Sequence, residues 1–147
     1  MHRHGTYQRR KHPTGSETVT VQRYLDPRRG RTASVLPEDC VPYRPVPAAR
    51  LEAHFDQNAE IGPGPDPPAK VVEAGCLSRA WKRLAARQDP LRRAFGQLLG
   101  PCRTTVEELW RELRRAKTTL GAMLGFLFDG HNLSLLGAYA CSVDWRR

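Results

Sequence analysis

Polar and β-favouring residues alternate along Thr18-Val19-Thr20-Val21-Gln22-Arg23-Tyr24-Leu25, the two-residue period of a half-buried strand. Val19, Val21 and Arg23 fall on one face, with Thr20, Gln22 and Tyr24 on the other. Gly5 to Arg10 suits a partner strand, with Pro13-Thr14-Gly15-Ser16 as the turn between them. Asp26-Pro27-Arg28-Arg29-Gly30 then turns the chain into a third short strand, Arg31 to Leu36. Pro37 ends it, because proline has no N–H to give to a ladder.

Beyond this point the period changes. Val41-Pro42-Tyr43-Arg44-Pro45-Val46-Pro47 is extended, since each proline biases its predecessor away from helix. Pro47 can open a short helix reaching Gln57, with Leu51 and Phe55 on one face. Gly62-Pro63-Gly64-Pro65-Asp66-Pro67-Pro68 has the composition of a linker. Leu77, Trp81, Leu84 and Ala85 then share a helix face. Asp89-Pro90 reads as a cap and first-turn proline before Leu91, Phe95, Leu98 and Leu99, and Gly100-Pro101 as their stop. Thr105-Val106-Glu107-Glu108 fits a capping box, followed at helical spacing by Leu109, Trp110, Leu113, Ala116, Leu120, Leu124 and Leu127. Asp129-Gly130 ends that run, and Asn132 to Cys141 suits a last helix. The expected class is α+β, a small N-terminal β-ribbon of two to three short strands followed by a three- to four-helix C-terminal half. The boundaries are 1–60 for the β-module with its short helix, 61–75 for the linker and 76–147 for the helices.

Charge sharpens this division. The chain carries 24 Lys+Arg against 15 Asp+Glu, a formal +9. Residues 1–50 hold a net of +6, residues 51–75 a net of −4, and residues 76–147 a net of +7. Arginine greatly outnumbers lysine, and a guanidinium fork suits phosphate, so the surface fits a polyanionic partner. A coding bias toward Arg, Ala, Gly and Pro would produce the same excess without any partner. Cys40, Cys76, Cys102 and Cys141 form no CxxC pair, which removes the zinc-knuckle and thioredoxin spacings. No stretch is apolar for long enough to span a bilayer and none reads as a signal peptide, so the expected compartment is cytoplasmic, with free thiols.

Several segments, taken together, have a family look. They are His2-x-His4-Gly5-x-Tyr7-x-Arg9-Arg10, Val21-x-Arg23-Tyr24, Gly30-Arg31-Thr32-x-Ser34-Val35-Leu36-Pro37 and Pro42-Tyr43-Arg44. In this order and spacing they resemble the N-terminal zinc ribbon of bacterial insertion-sequence transposases and of short orphan proteins carrying the same module. The resemblance covers about residues 2–55. It implies a ribbon fold and a link to mobile DNA, but it departs from the family where the metal would sit. Asp26 and Arg29 occupy the cysteine positions before Gly30-Arg31-Thr32, and the other pair would precede His2, where only Met1 stands. Zinc needs about four N, S or O ligands, so no metal and no cofactor are expected. A replacement set would have to come from Asp26, His2, His4 and Cys40. Without metal, a ribbon this small should be the less ordered half unless it packs against the helices.

Arg3, Arg9, Arg10, Lys11, Arg23, Arg28, Arg29 and Arg31 are the candidate nucleic-acid contacts, as a cationic face of the hairpin. A solvated basic surface without a dedicated partner is the plainer account of the same residues. On the helix after Thr105, Arg111, Arg114, Arg115 and Lys117 with Glu107, Glu108 and Glu112 suit a solvated face, and Trp81, Trp110 and Phe95 suit the core. No catalytic motif is present, so the chain is expected not to be an enzyme. The expected role is a non-catalytic accessory or remnant protein of a mobile element, binding DNA nonspecifically. Two alternatives remain at this level. One is a helical module that self-associates or binds a partner protein through residues 76–147. The other is a decayed reading frame without selected function.

Overall fold

The computed structural model describes residues 2–28, 30–37, 39–41, 45–63, 67, 70–99, 105–131 and 133–137, excepting the side chains of Arg31 and Ala33. Its architecture is α+β. Three strands, β1 (His2–Arg10), β2 (Thr18–Asp26) and β3 (Arg31–Val35), form an antiparallel sheet in the order β1-β2-β3. Five helices follow: α1 (Ala48–Asn58), α2 (Val71–Ala85), α3 (Gln88–Phe95), α4 (Val106–Ala116) and α5 (Leu120–His131). Among the described residues, no helix is long and apolar enough to cross a membrane.

The sheet has little to bury. Val21 is its one fully buried side chain among those described, and nearly all of β1 is exposed. The hydrophobic core lies among the helices, running from Val41 and Val46 through Leu51, Phe55, Leu77, Leu84, Leu91, Phe95, Trp110 and Leu127 to Leu136. Phe55 sits edge-on to Trp110 at 5.0 Å and tilted against Trp81 at 5.2 Å, the arrangement that aromatic quadrupoles prefer.

Pro47 is the cap residue of α1 rather than its first helical residue. Leu51 and Phe55 face inward as their i, i+4 spacing dictates. The C-terminal end of α1 is closed by paired amides, Glu60 to the Gln57 carbonyl at 3.1 Å and Ile61 to Asp56 at 2.8 Å. This is a Schellman closure, with Glu60 at φ 56° in the position that usually takes glycine and Ile61 packed on the core. Through Leu51, Phe55 and Ala59, α1 belongs to the helical core, although its sequence position groups it with the strands. The proline-rich stretch is also shorter than 61–75, because α2 begins at Val71.

Other boundaries differ for local reasons. Asp89 lies in the first turn of α3, whose cap is Arg87; Pro90 is tolerated there because first-turn amides have no partner within a helix. Leu98, on the apolar side by spacing, is 51% exposed because the chain tightens to a single 3₁₀ turn at Gly96–Leu98. Thr105 caps α4 by accepting from the Glu108 amide at 3.2 Å, but Glu108 Oε2 is buried without a hydrogen-bond partner among the described residues. The apolar run from Leu109 to Leu127 is two helices rather than one. Lys117 is extended, and the Thr119 hydroxyl accepts from the Ala122 amide at 3.1 Å, opening α5 with a cap of its own. Of the segment expected as a last helix, Leu133–Gly137 is irregular, with Leu135 and Leu136 buried; Asn132 and residues 138–147 lie outside the described residues, as do Gly100, Pro101 and Cys102.

Of the arginines of α4, Arg115 is solvated as expected, but Arg111 and Arg114 are not. Arg114 binds Asp56 on α1 through two nitrogens at 3.0 and 3.1 Å and Glu52 at 3.3 Å. Arg111 donates to the Ala59 carbonyl at 2.7 Å. Of the i, i+3 and i, i+4 pairs within α4, Arg115–Glu112 forms. A second clamp, Arg50–Glu73 at 3.0 Å, ties α1 to α2 with Glu73 almost wholly buried.

Candidate nucleic-acid interface

The register of the hairpin decides which arginines share a face. Residues opposite each other in an antiparallel pair point the same way. The pairs Arg3↔Tyr24, Thr6↔Gln22, Gln8↔Thr20 and Arg10↔Thr18 put these eight residues on one face. Gly5↔Arg23, Tyr7↔Val21 and Arg9↔Val19 occupy the other. A bulge between Arg3 and Gly5 shifts the alternation by one residue, so Arg3 joins Arg10 even though seven positions separate them.

The first face is open and laced together by side chains. Arg3 Nε donates to Gln22 Oε1 at 2.6 Å, Gln8 Nε2 donates to Thr20 Oγ1 at 2.9 Å, and Gln22 Nε2 donates to the Gly5 carbonyl at 2.6 Å. Arg3 keeps the outer nitrogens of its guanidinium, and Arg10 is exposed. Six steps of β2, from Thr18 to Tyr24, separate their partners, so at roughly 3.3 Å per residue the two cations stand about 20 Å apart. Arg28 is exposed in the β2–β3 turn, at the same end of the sheet as Arg3. Its amide donates to Asp26 Oδ1 at 3.0 Å, and Gly30 at φ 62° closes the turn. In one of the two ligand positions of the resembled knuckle, Asp26 thus holds the turn by a hydrogen bond.

The remaining candidates are placed differently. Arg9 reaches across to the Val41 carbonyl at 2.6 Å, and Arg23 Nη2 donates to Thr32 Oγ1 at 3.0 Å, both on the half-buried face around Val21. Lys11 lies between two carboxylates, Asp39 at 2.6 Å and Glu17 at 3.2 Å. Its hydrogen bonds to Asp39 and then Glu17 raise the ammonium pKa, and the bond from Lys11 lowers that of Asp39. The ammonium is a clip between the β1–β2 loop and the segment after the sheet, with its charge matched locally. The backbone of Arg31 pairs with Asp26, while Arg29 and Pro42-Tyr43-Arg44 lie outside the described residues. Of the eight cations, the open face therefore gathers Arg3 and Arg10, with Arg28 at its end.

Thr20, Gln22 and Tyr24 were legible as one alternating face, whereas the placement of Gln8 beside Thr20 comes from the register. The loss of Lys11 and Arg9 to structural contacts was not, because Asp39 and Val41 lie about thirty residues away in sequence.

Other arrangements do less. An open groove of about 630 Å³ between the end of α1 and α4 is lined by Arg111, Arg114 and Arg115, but carboxylates of Glu60, Glu52, Asp56 and Glu112 match their charge. Cys40 is buried, its Sγ 3.6 Å from Asp39; burial first, then the Asp39 charge, pushes its thiol pKa up and away from thiolate chemistry. Among the described residues, no three of His, Cys, Asp or Glu stand close enough together to hold a metal ion, so Asp26, His2, His4 and Cys40 are not gathered into a set. No protein-family pattern matches the chain, and no characterised protein or solved structure matches it either.

Proposed function

We propose that the chain is a non-catalytic accessory protein of a mobile element that binds duplex nucleic acid nonspecifically through the open face of its sheet. The observation that carries this reading is the placement of Arg3 and Arg10 at the two ends of one exposed face, with Arg28 in the adjoining turn. A separation of about 20 Å exceeds the roughly 12 Å width of a B-form major groove, so the two guanidinium groups can meet phosphates on opposite walls. The mobile-element origin rests on the resemblance to the transposase ribbon. A three-stranded antiparallel meander with a tight turn at Asp26–Gly30 is compatible with it.

Three phosphate contacts define the test. With a slope near −0.9 per contact, affinity for a 20-base-pair duplex should fall about 40-fold between 50 and 200 mM salt. Replacing Arg3, Arg10 and Arg28 together by Ala should abolish the mobility shift and leave far-UV circular dichroism unchanged. No shift at 50 mM salt, or an undiminished shift in the triple variant, would remove the proposal.

A further inference from the structure

The outer edge of β1 offers backbone groups that the sheet-face reading does not use. β1 is an edge strand of nine residues without proline, and among the described residues no strand pairs with its outer side. The Lys11 amide donates to the Glu17 carbonyl at 3.0 Å, which makes 11/17 a hydrogen-bonded pair. In an antiparallel ladder such pairs alternate with non-hydrogen-bonded ones. Tyr7 and Arg9 therefore turn their amides and carbonyls toward β2, and Thr6, Gln8 and Arg10 turn theirs outward. All three outward residues are exposed.

Such an edge is a template for another strand. Its charges select which one. β1 contains Arg3, Arg9 and Arg10 and no acidic residue, so a second copy of β1 would bring like charges together. A strand bearing carboxylates at alternating positions would instead set them beside Arg10 and Arg3, on the face shared with Thr6 and Gln8. We propose that the outer edge of β1 is a docking site for an extended acidic peptide segment, bound by β-strand addition through the backbone of Thr6, Gln8 and Arg10. The ladder supplies affinity and the arginines supply selectivity.

The test uses the full chain and a fluorescein-labelled nine-residue peptide of alternating Glu and Thr, followed by anisotropy. The expected result is saturable binding that a Lys/Thr peptide of equal length does not reproduce. Gln8→Pro removes one outward N–H without touching the ladder to β2 and should weaken binding about tenfold or more, whereas Gln8→Ala should change it less than about twofold. Arg28→Ala removes a phosphate contact in the β2–β3 turn without touching β1, so it should weaken the duplex mobility shift and leave peptide binding unchanged, which separates this proposal from the DNA reading. A second measurement does not depend on a variant. Saturating peptide should slow amide exchange at Thr6, Gln8 and Arg10. Equal binding by wild type and Gln8→Pro, unchanged exchange at those three amides, or a β1-dependent dimer in sedimentation would each overturn it.

Discussion

Asp56→Ala is expected to be among the most damaging single substitutions on the polar surface of α1. The Asp56 carboxylate accepts from Trp110 Nε1 at 2.8 Å and from Arg114 Nε at 3.0 Å through Oδ1, and from Arg114 Nη2 at 3.1 Å through Oδ2. Trp110 is fully buried, so its indole N–H would be left without a partner, at a cost of about 1–3 kcal/mol. Breaking a wholly buried ion pair costs about 3–5 kcal/mol. That figure is discounted here, because the Asp56 and Arg114 side chains are 14% and 20% exposed and Glu52 at 3.3 Å still faces the guanidinium. The sum expected is about 3 kcal/mol. Asp56→Asn keeps an acceptor for the indole and should cost about half as much. Urea unfolding followed by tryptophan fluorescence measures both, with an unchanged m-value as the check that the native fold is retained. A cycle with Arg114→Ala should give a coupling energy of about 1–2 kcal/mol. A loss under about 1 kcal/mol for Asp56→Ala, or additivity within about 0.5 kcal/mol in the cycle, would refute the view that this carboxylate pins α1 to α4.

Glu60→Gly should stabilise the protein by about 0.5–1 kcal/mol, because it relieves a left-handed residue while giving up a carboxylate that is 87% exposed and 3.8 Å from Arg111. In a thermal scan the midpoint should rise by about 2–4 °C, and a fall would contradict the backbone argument. Burial first, then the charge of Arg50, pull the pKa of His54 below its ordinary 6.5, and Nε2 pairs with Asn58 Nδ2 at 3.1 Å. The folded state thus holds fewer protons on His54 than the unfolded state does, so its contribution is complete above pH 6.5 and lost as pH falls below it. Stability measured from pH 7.5 to 5 should decline less in His54→Gln than in wild type, and parallel curves would remove His54 as the source. Native-state hydrogen exchange should find strand amides less protected than those of α1, α2 and α4, since the described part of the sheet buries only Val21 fully. Slower exchange in the strands would contradict this.

What could be read from the sequence was local. Alternation around Val21 and the turn residues at Asp26–Gly30 give the strands, because each signal acts within a few residues. Thr105 and the Leu51/Phe55 pair give helix positions for the same reason. The break between α4 and α5 was missed because the apolar spacing continues through it, while its cause is one threonine hydroxyl on one amide. Arg111 and Arg114 looked solvated because their partners lie on α1, more than fifty residues away. The cationic site was legible as a set of residue types. Its division between two faces required a bulge at Arg3–Gly5, which no turn or proline signal announces.

The link between Asp56 and Arg114 spans 58 residues, and the one from Glu52 to the Leu120 amide spans 68. It therefore imposes an order on biosynthesis. At about 5–20 residues per second, α1 leaves the ribosome several seconds before the arginine that neutralises it. Throughout that interval Asp56 keeps its water and Phe55, although α2 can already bring Trp81 to it, lacks Trp110. The strand pairings close within 35 residues and so can form earlier, but with Val21 as the one fully buried side chain described they gain their support only when the helices arrive. The nascent chain thus exposes its arginine-bearing strands before the core that will support them, and the arrival of α4 converts α1 behind them from a solvated segment into part of the interior.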